Sequence, residues 1–253
     1  MSNPKAKIRD IYRYPVKGLT PERLGKTVLG VGETLRGDRR FAIENGPSGF
    51  EPATPSYLPK THFLMLMRNE RLARLNATFD DASHILSIKV DGRQIRGDLS
   101  TPKGREVIEK FFAAYCADEL RGPPRILEAS GHSFSDVSRK VVSIINLASV
   151  AELETIIGTP VDPLRFRANV YVEGWRAWHE FDLLGSEIAV GSDVRLNVVK
   201  RIKRCAATDV DPQTGIRDLS IPHALMKDFK HPDCGIYAEV ISAGSIAVGD
   251  TIG

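Results

Sequence analysis

The most informative stretch of the chain reads RCAATDVDPQTG and runs from Arg204 to Gly215. It places Cys205 at the end of a basic run that begins at Lys200, and a turn built on Asp211-Pro212 follows. Nearby cations and backbone donors lower the pKa of a thiol and favour the thiolate, which is the form that binds metals. One thiolate cannot hold a zinc ion, which needs about four ligands. Cys205 is therefore a candidate ligand for a metal that arrives with its own chelating cofactor.

Two other interpretations of Cys205 stay open at this level. The thiol could carry a persulfide, or it could be a small buried side chain. Cys116 lies on the apolar face of a predicted helix and is interpreted as a packing residue. The three cysteines are widely spaced, odd in number and without a C-x-x-C pair. The sequence therefore predicts no disulfide framework and a reducing, cytoplasmic location.

Composition is that of an ordinary soluble globular protein, with 253 residues, 42% apolar and 26% charged. The 35 basic and 32 acidic residues give a net charge of +3, which is too small to indicate nucleic-acid binding. Local basic clusters at 5–9, 36–40 and 200–204 suit a compact anion, although solvated surface charge explains any single cluster equally well. No apolar run approaches the ~18 residues of a membrane span. Met1–Lys5 lacks the apolar core of a secretion signal.

Short strands dominate the predicted elements and are not regularly interleaved with helices. Predicted strands cover 6–13, 26–31, 39–43, 86–90, 94–99, 141–145, 168–172, 187–190, 194–199, 236–241 and 245–248, and predicted helices cover 102–116, 149–157 and 221–229. Ser149 and Glu152 form a capping-box pattern, and Asp91-Gly92 predicts a hairpin turn. The fold class is therefore β-rich α+β, with barrel-like halves and a few helices.

Proline and glycine mark two important connections. Residues 45–59 hold four prolines and two glycines, so this segment is a long loop of the kind that is often functional. Gly122-Pro123-Pro124 is the best linker candidate. It divides the chain into a predicted first domain at 1–122 and a predicted second domain at 123–253.

Further basic residues could bind an anion. In Arg165-Phe166-Arg167-Ala168-Asn169, a strand would place both arginines and Asn169 on one face. Guanidinium and amide donors on one face suit a phosphate or the ring of a pterin, while a surface ion-pair ladder is the plainer alternative. Lys17 in a turn and the pair Arg39-Arg40 are weaker signals of the same kind.

A rival site could be built from His223, His231 and Cys234. Their spacing matches no common zinc pattern, so the hypothesis is weak. The sequence also lacks the phosphate-loop, dinucleotide and nucleophile-elbow motifs. Nucleotide-hydrolase and serine-hydrolase functions therefore lose most of their support.

Several ordered motifs together resemble the MOSC family, named for the carboxy-terminal domain of molybdenum-cofactor sulfurase. Cys205 and the turn after it resemble the family's cysteine motif, and Phe166-Arg167-Ala168-Asn169 resembles its Phe-Arg-Pro-Asn motif. Residues 235–240 and Gly249-Asp250 are similar to its last strands. Residues 11–17 and 37–40 resemble the β-barrel domain that precedes MOSC in two-domain members. The resemblance covers nearly the whole chain and implies an N-terminal β-barrel-like domain followed by a MOSC β-barrel.

The resemblance implies a molybdenum cofactor, that is, molybdenum bound to molybdopterin, with Cys205 as the protein ligand. Two-domain members that reduce amidoximes also reduce N-hydroxylated bases such as hydroxylaminopurines. Residues expected to contact the cofactor or shape its loop are Lys17, Arg39, Arg40, Arg167, Asn169, Arg204, Thr208 and Thr214. Asp209 and Asp211 are the candidate proton relays, and Asp211 is also expected to shape the loop.

Two departures from the family are visible. Gly18 stands where mammalian members carry serine, so one hydroxyl contact is missing. Some bacterial relatives append an iron–sulfur ferredoxin domain with clustered cysteines, which this sequence does not contain. A separate electron-donor protein, of ferredoxin or flavin type, is therefore expected.

Three functions compete on the sequence alone. The first is a molybdenum-dependent reductase of N-hydroxylated small molecules. The second is a carrier of sulfur or of the cofactor that uses a Cys205 persulfide. The third is a non-catalytic module that binds another anion, in which case replacing Cys205 would change nothing.

Overall fold

The computed structural model describes residues 4–253. The first residues of the segment Met1–Lys5, considered above as a signal and as the start of the predicted first domain, lie outside this range. Within residues 4–253, 34% are strand and 22% are helix, which confirms the β-rich α+β class. In that range no helix combines the length and apolar character needed to cross a membrane.

Strands and helices are numbered in chain order. The strands are β1 (Ala6–Arg13), β2 (Glu22–Leu24), β3 (Lys26–Leu29), β4 (Phe41–Asn45), β5 (Asn76–Asp80), β6 (Ile85–Val90), β7 (Arg93–Asp98), β8 (Pro124–Glu128), β9 (Val142–Asn146), β10 (Val170–Glu173), β11 (Glu187–Val190), β12 (Val194–Lys203), β13 (Asp233–Ser242), β14 (Gly244–Ala247) and β15 (Thr251–Ile252). The helices are α1 (Pro102–Tyr115), α2 (Leu147–Ile157) and α3 (Ile221–Phe229).

A closed barrel forms the largest sheet. Within residues 4–253 the barrel has seven strands, in the order β1, β10, β9, β13, β12, β11, β15 and back to β1, and β2 pairs with β1 as the eighth strand of the sheet. Strand β1 shows why such strands form: Ala6, Ile8 and Ile11 are buried while Lys7 and Arg9 are exposed. This alternation is what a strand with one buried face requires. Mostly aliphatic side chains of the barrel strands fill the first core.

A second core lies beneath helix α1, which packs against β7 and β8. The hairpin predicted at Asp91-Gly92 is confirmed, and both residues have positive φ, 47° and 74°. Gly97 on β7 and Gly104 on α1 allow the two elements to touch through their backbones. A Cβ on Gly104 would lie 2.0 Å from the Asp98 carbonyl oxygen. The fit of α1 onto this sheet therefore depends on glycine.

The sheets cross the predicted domain boundary. Strand β1 pairs with β10 and β15, β3 pairs with β14, and β4 pairs with β8. Pro124, interpreted above as part of a linker, is the first residue of β8. The division into 1–122 and 123–253 stays a prediction, and backbone hydrogen bonds join the two parts.

The predicted capping box of Ser149 and Glu152 is wrong. Helix α2 begins earlier, because the Asn146 side chain accepts a hydrogen bond from the Ala148 amide at 3.1 Å. The Ser149 hydroxyl is buried and donates to the Glu180 carboxylate instead. Ser149 therefore forms a buried hydrogen bond and does not cap the helix, and Asn146 is the capping residue.

The strand predicted for Arg165 to Asn169 is also wrong. Pro163–Phe166 form a short 3-10 turn, which the Asp162 side chain caps by accepting from the Leu164 amide at 2.8 Å. Arg167 then adopts a left-handed φ of 50°, and regular pairing of β10 begins after Asn169. Arg165 therefore lies in a 3-10 turn and Arg167 in a left-handed conformation, so their side chains do not lie on one face of a strand.

Glu180 predicts a pH dependence of stability. Its carboxylate is fully buried and accepts hydrogen bonds from Asn146 and Ser149, and burial raises the pKa above its ordinary value despite those bonds. The folded state then binds more protons than the unfolded state, so stability falls as pH rises from the unfolded pKa through the folded pKa. Glu180→Gln should flatten this fall, measured by urea unfolding between about pH 5 and pH 8.

The matched control for Glu180→Gln is Glu187→Gln, which changes an exposed carboxylate on β11. It should leave the pH profile of the unfolding free energy unchanged. If the unfolding free energy changed equally with pH in wild type and in Glu180→Gln, Glu180 would be ionised in the folded protein over the whole pH range measured.

Candidate functional site

A cleft of about 290 Å³ opens where the barrel meets the first part of the chain. One wall is formed by the end of β12 with Tyr237 of β13 and Ser143 of β9, and the facing wall carries Lys17 and Lys60. Within residues 4–253, nine basic and two acidic side chains line this cleft. The basic ones are Lys17, Arg39, Lys60, Arg165, Arg167, Lys200, Arg201, Lys203 and Arg204. Such an excess of cations favours an anionic ligand.

Cys205 lies in this cleft, immediately after β12. Its thiol is half-buried, and the Lys60 Nζ lies 3.1 Å from the sulfur. The same ammonium lies 3.3 Å from Oδ2 of Asp136. Burial alone would lower the pKa of Lys60, but Asp136 and Cys205 outweigh it and the pKa is raised. The sulfur is thus open to the cleft and faces a charged ammonium group.

Lys17 reaches the cleft from the turn after β1. Only 5% of the residue is exposed, and its Nζ donates to the Phe134 carbonyl at 2.8 Å and to Asp136 at 2.5 Å. Burial lowers the pKa of Lys17, and Asp136 opposes that shift. Burial would raise the pKa of Asp136, but the ammonium groups of Lys17 and Lys60 hold it well below its ordinary range. Asp136 therefore orients both lysines of this wall.

Arg39 and Arg167 meet at one aromatic ring. Their guanidinium carbons lie 4.4 and 4.3 Å from the centroid of Tyr14, which is fully buried. Arg39 also donates to the Arg167 carbonyl at 2.8 Å, and Arg167 donates to the Leu19 carbonyl at 2.8 Å. Both arginines have left-handed backbones, with φ of 48° and 50°. Burial lowers the pKa of Arg167, and Arg39 pairs with the buried Asp38 carboxylate, so two guanidinium groups and one carboxylate meet at this end of the cleft.

Three further predicted residues line the cleft but bond mainly to the protein. The Asn169 amide oxygen accepts from Ser143, and its nitrogen donates to the Tyr12 carbonyl at 3.2 Å. The buried Arg204 guanidinium donates to backbone carbonyls on either side of it. The Thr208 hydroxyl donates to the Cys205 carbonyl at 3.0 Å. These residues fix the walls and the turn that present the thiol.

The structure does not bring four of the predicted residues to the cleft. Arg40 pairs with Glu128 and stacks over aromatic rings away from it. Asp209 accepts from the first amide of α3 at 2.8 Å, and Asp211 accepts from the Thr214 amide and hydroxyl. The proton-relay roles of Asp209 and Asp211 therefore have no geometric support. The expected role of Asp211 and Thr214 in shaping the loop agrees with these bonds.

The rival constellation does not assemble. His231 packs among the rings of Trp178, Phe181 and Phe229. Within residues 4–253 there is no group of three His, Cys, Asp or Glu side chains placed to hold a metal ion. Cys234 is fully buried, and burial raises the pKa of its thiol to about 12. Cys116 is buried as predicted, and burial raises its pKa to about 12 as well.

Sequence reasoning missed Lys60, Asp136 and Tyr237, which all line the cleft. Lys60 directly follows the proline-rich loop 45–59, so its position at the end of a suspected functional loop was a usable signal. Asp136 and Tyr237 carried no comparable local signal. Each reaches the cleft through long-range folding alone.

Two family models match the chain. The MOSC domain matches residues 129–253, and the MOSC N-terminal beta barrel domain matches residues 5–119. A solved structure of the YuaD protein from Bacillus subtilis aligns with 98% of this chain and 94% of that chain, at 14% identity and a TM-score of 0.45.

Curated relatives give a consistent result. Mitochondrial amidoxime-reducing component 1 of Mus musculus is 30% identical, over 97% of this chain and 81% of the mouse protein. Mitochondrial amidoxime reducing component 2 of Rattus norvegicus is 32% identical over 123 residues, which is 44% of this chain and 36% of the rat protein. The match thus spans little more than a third of the rat relative.

Proposed function

The chain belongs to the MOSC family, and on that premise we propose that it is a molybdenum-cofactor-dependent reductase of N-hydroxylated compounds, with Cys205 as the protein ligand of the metal. The single observation that carries the proposal is the half-buried Cys205 thiol, open to a cleft lined by basic side chains. The names of the amidoxime-reducing relatives support a reductase.

The residues present fit such a cofactor. A pterin that chelates the metal through its own sulfurs needs only one protein thiolate, and the cleft offers one. The volume of about 290 Å³ is near the lower end of small-molecule sites, which measure roughly 300–1,000 Å³. The cations of the cleft suit the cofactor's phosphate, because guanidinium and ammonium groups bind phosphate oxygens strongly. Lys17, Arg39 and Arg167 would hold it, and Cys205 would bind the metal.

When bound, the cofactor supplies the two-electron chemistry that cleaves the N–O bond. The balanced reaction is R–NHOH + 2 e⁻ + 2 H⁺ → R–NH₂ + H₂O. The chain presents the sulfur of Cys205 from a turn fixed by Thr208, and Lys60 supplies positive charge beside it. The electrons come from a separate donor protein of ferredoxin or flavin type, and the substrate is a small molecule.

The test is purification from a host that makes molybdopterin. We expect close to one molybdenum per chain and reduction of a hydroxylaminopurine with an artificial donor such as a reduced viologen. A folded protein that carries no molybdenum after such expression would contradict the proposal.

Mass spectrometry of Cys205 separates the reductase from the sulfur carrier. A carrier would gain one stable sulfur atom at Cys205 after incubation with a cysteine desulfurase and free cysteine, without bound metal. The reductase should instead bind metal and leave the residue unmodified.

A further inference from the structure

Six of the nine basic side chains of the cleft fall into two sets. The inner set is Lys17, Arg39 and Arg167, which the protein holds by hydrogen bonds and by the Tyr14 ring. The outer set, here called the β12 rim, consists of Lys200, Arg201 and Lys203. Lys200 and Lys203 are exposed, and within residues 4–253 no member of the rim forms a salt bridge.

The strand order separates Lys200 from Asn169, which lies two residues after Arg167. Lys200 pairs with Tyr237, Tyr237 pairs with Ser143, and the Asn169 amide donates to the Ser143 carbonyl. Three steps between neighbouring chains amount to roughly 14 Å along the barrel. The Tyr14 ring and backbone carbonyls hold the guanidinium groups of Arg39 and Arg167, and Asp136 holds the Lys17 ammonium. The two sets therefore occupy different parts of the cleft wall.

The part of β12 that carries the rim pairs irregularly with β13. In a regular strand, Lys200 and Lys203 would face opposite sides, because side chains alternate with a period of two. The register of β12 shifts between Val198 and Lys200 and again between Arg201 and Lys203. Such irregularities re-aim side chains and are common next to active sites. All three basic residues belong to the continuous segment 200–205, which lines the cleft that contains Cys205.

The position of the β12 rim suits a substrate more than the cofactor. Lys203 precedes Cys205 by two residues, roughly 7 Å of extended chain, and Lys200 lies farther out. The Arg201 guanidinium carbon lies 4.3 Å from the centroid of the Phe181 ring, which does not line the cleft, so Lys200 and Lys203 are the members of the rim that can meet a ligand. A ligand whose reacting group is near Cys205 would thus meet the rim with its far end.

We propose that the β12 rim binds a phosphate of the substrate, so that the preferred substrates are N-hydroxylated nucleotides in place of free bases or nucleosides. The proposal rests on the proposed function, whose cofactor phosphate takes the inner set. A nucleotide separates its base from its phosphate by a ribose, which matches a rim set apart from the reacting centre. The reaction is unchanged: the N–O bond breaks, two electrons and two protons enter, and water leaves.

The test compares N6-hydroxyadenosine with its 5′-monophosphate, with reduced viologen as the electron donor. We expect a KM about tenfold lower for the monophosphate, the factor that two exposed ion pairs of under about 1 kcal/mol each provide. The double variant Lys200→Ala/Lys203→Ala should bring the ratio of the two KM values close to one. Lys200→Arg/Lys203→Arg should keep the preference, and Lys89→Ala, an exposed lysine on β6, should not affect it.

Calorimetry provides a readout that does not depend on turnover. Adenosine monophosphate should bind the purified protein more tightly than adenosine, and the double alanine variant should lose that difference. Reduction of neither substrate would contradict the proposed function, while the calorimetric comparison would still decide the role of the rim. Equal KM values for nucleoside and monophosphate in wild type would overturn the inference. A double variant that slows turnover only with reduced ferredoxin would also overturn it and mark the rim as a docking surface for the donor.

Discussion

Cys205→Ala is expected to lower both bound molybdenum and reductase activity by about 100-fold or more. Loss of a hydrogen-bond partner of a metal ligand alone costs 10–100-fold in metal affinity or activity, and loss of the ligand itself should cost more. The fold should persist, because the side chain is half-buried and its side-chain partner is the flexible ammonium of Lys60. Elemental analysis, turnover of a hydroxylaminopurine and thermal unfolding measure these three quantities together.

Two controls sharpen this prediction. Cys116→Ala removes a fully buried thiol from the second core and should keep its molybdenum at some cost in stability. Cys205→Ser keeps the size of the side chain but replaces a soft sulfur ligand, so it should also lose most of the metal. Molybdenum retained at wild-type stoichiometry in Cys205→Ala would refute the role of this residue.

Gly104→Ala should destabilise the protein by about 2 kcal/mol or more. The new Cβ would lie 2.0 Å from the Asp98 carbonyl oxygen and 2.5 Å from its amide nitrogen, so the backbones of α1 and β7 must separate. Overpacking typically costs 1–3 kcal/mol, and here rigid backbone must move, while the better helix propensity of alanine returns about 1 kcal/mol. The measurement is the midpoint of urea unfolding monitored by circular dichroism.

The matched control is Gly25→Ala. Gly25 has no atom within 4 Å of its would-be Cβ and no positive φ, so it should change the unfolding free energy by less than about 0.5 kcal/mol. Gly97→Ala should repeat the defect from the other side, because its Cβ would meet the Gly104 carbonyl oxygen at 2.3 Å. Equal midpoints for wild type and Gly104→Ala would mean that α1 can shift freely on its sheet.

Local sequence patterns were sufficient to predict many strands and helices, but they did not predict which strands pair with each other. The alternation of apolar and polar residues predicted β1. Pro102 and apolar residues at helical spacing predicted α1. The Thr101 side chain caps this helix by accepting a hydrogen bond from the Gly104 amide at 3.0 Å. The pairing of β1 with β10 and β15 joins residues far apart in the sequence. No local periodicity encodes such a pairing, because it depends on which edges remain open after the rest has folded.

The errors at the site have similar causes. The Asp162-Pro163 pair is a strong start signal for a helical turn, and recognising it would have excluded a strand at Arg165. Asp209 is a candidate proton relay in the sequence, yet its carboxylate accepts a hydrogen bond from the first amide of α3. Lys60 lies far from Cys205 in sequence, and only the folded chain brings its ammonium to the sulfur.

The pairing of β1 with β15 has a consequence for synthesis. The strand at Ala6–Arg13 is synthesised more than 200 residues before its neighbour at Thr251–Ile252. The nascent chain must therefore carry an unpaired strand edge while the residues between these two strands are translated, and such edges invite intermolecular pairing. Ring closure by the most distant contacts also slows folding. Recombinant yield should consequently respond to slower translation and to chaperones that shield open strand edges.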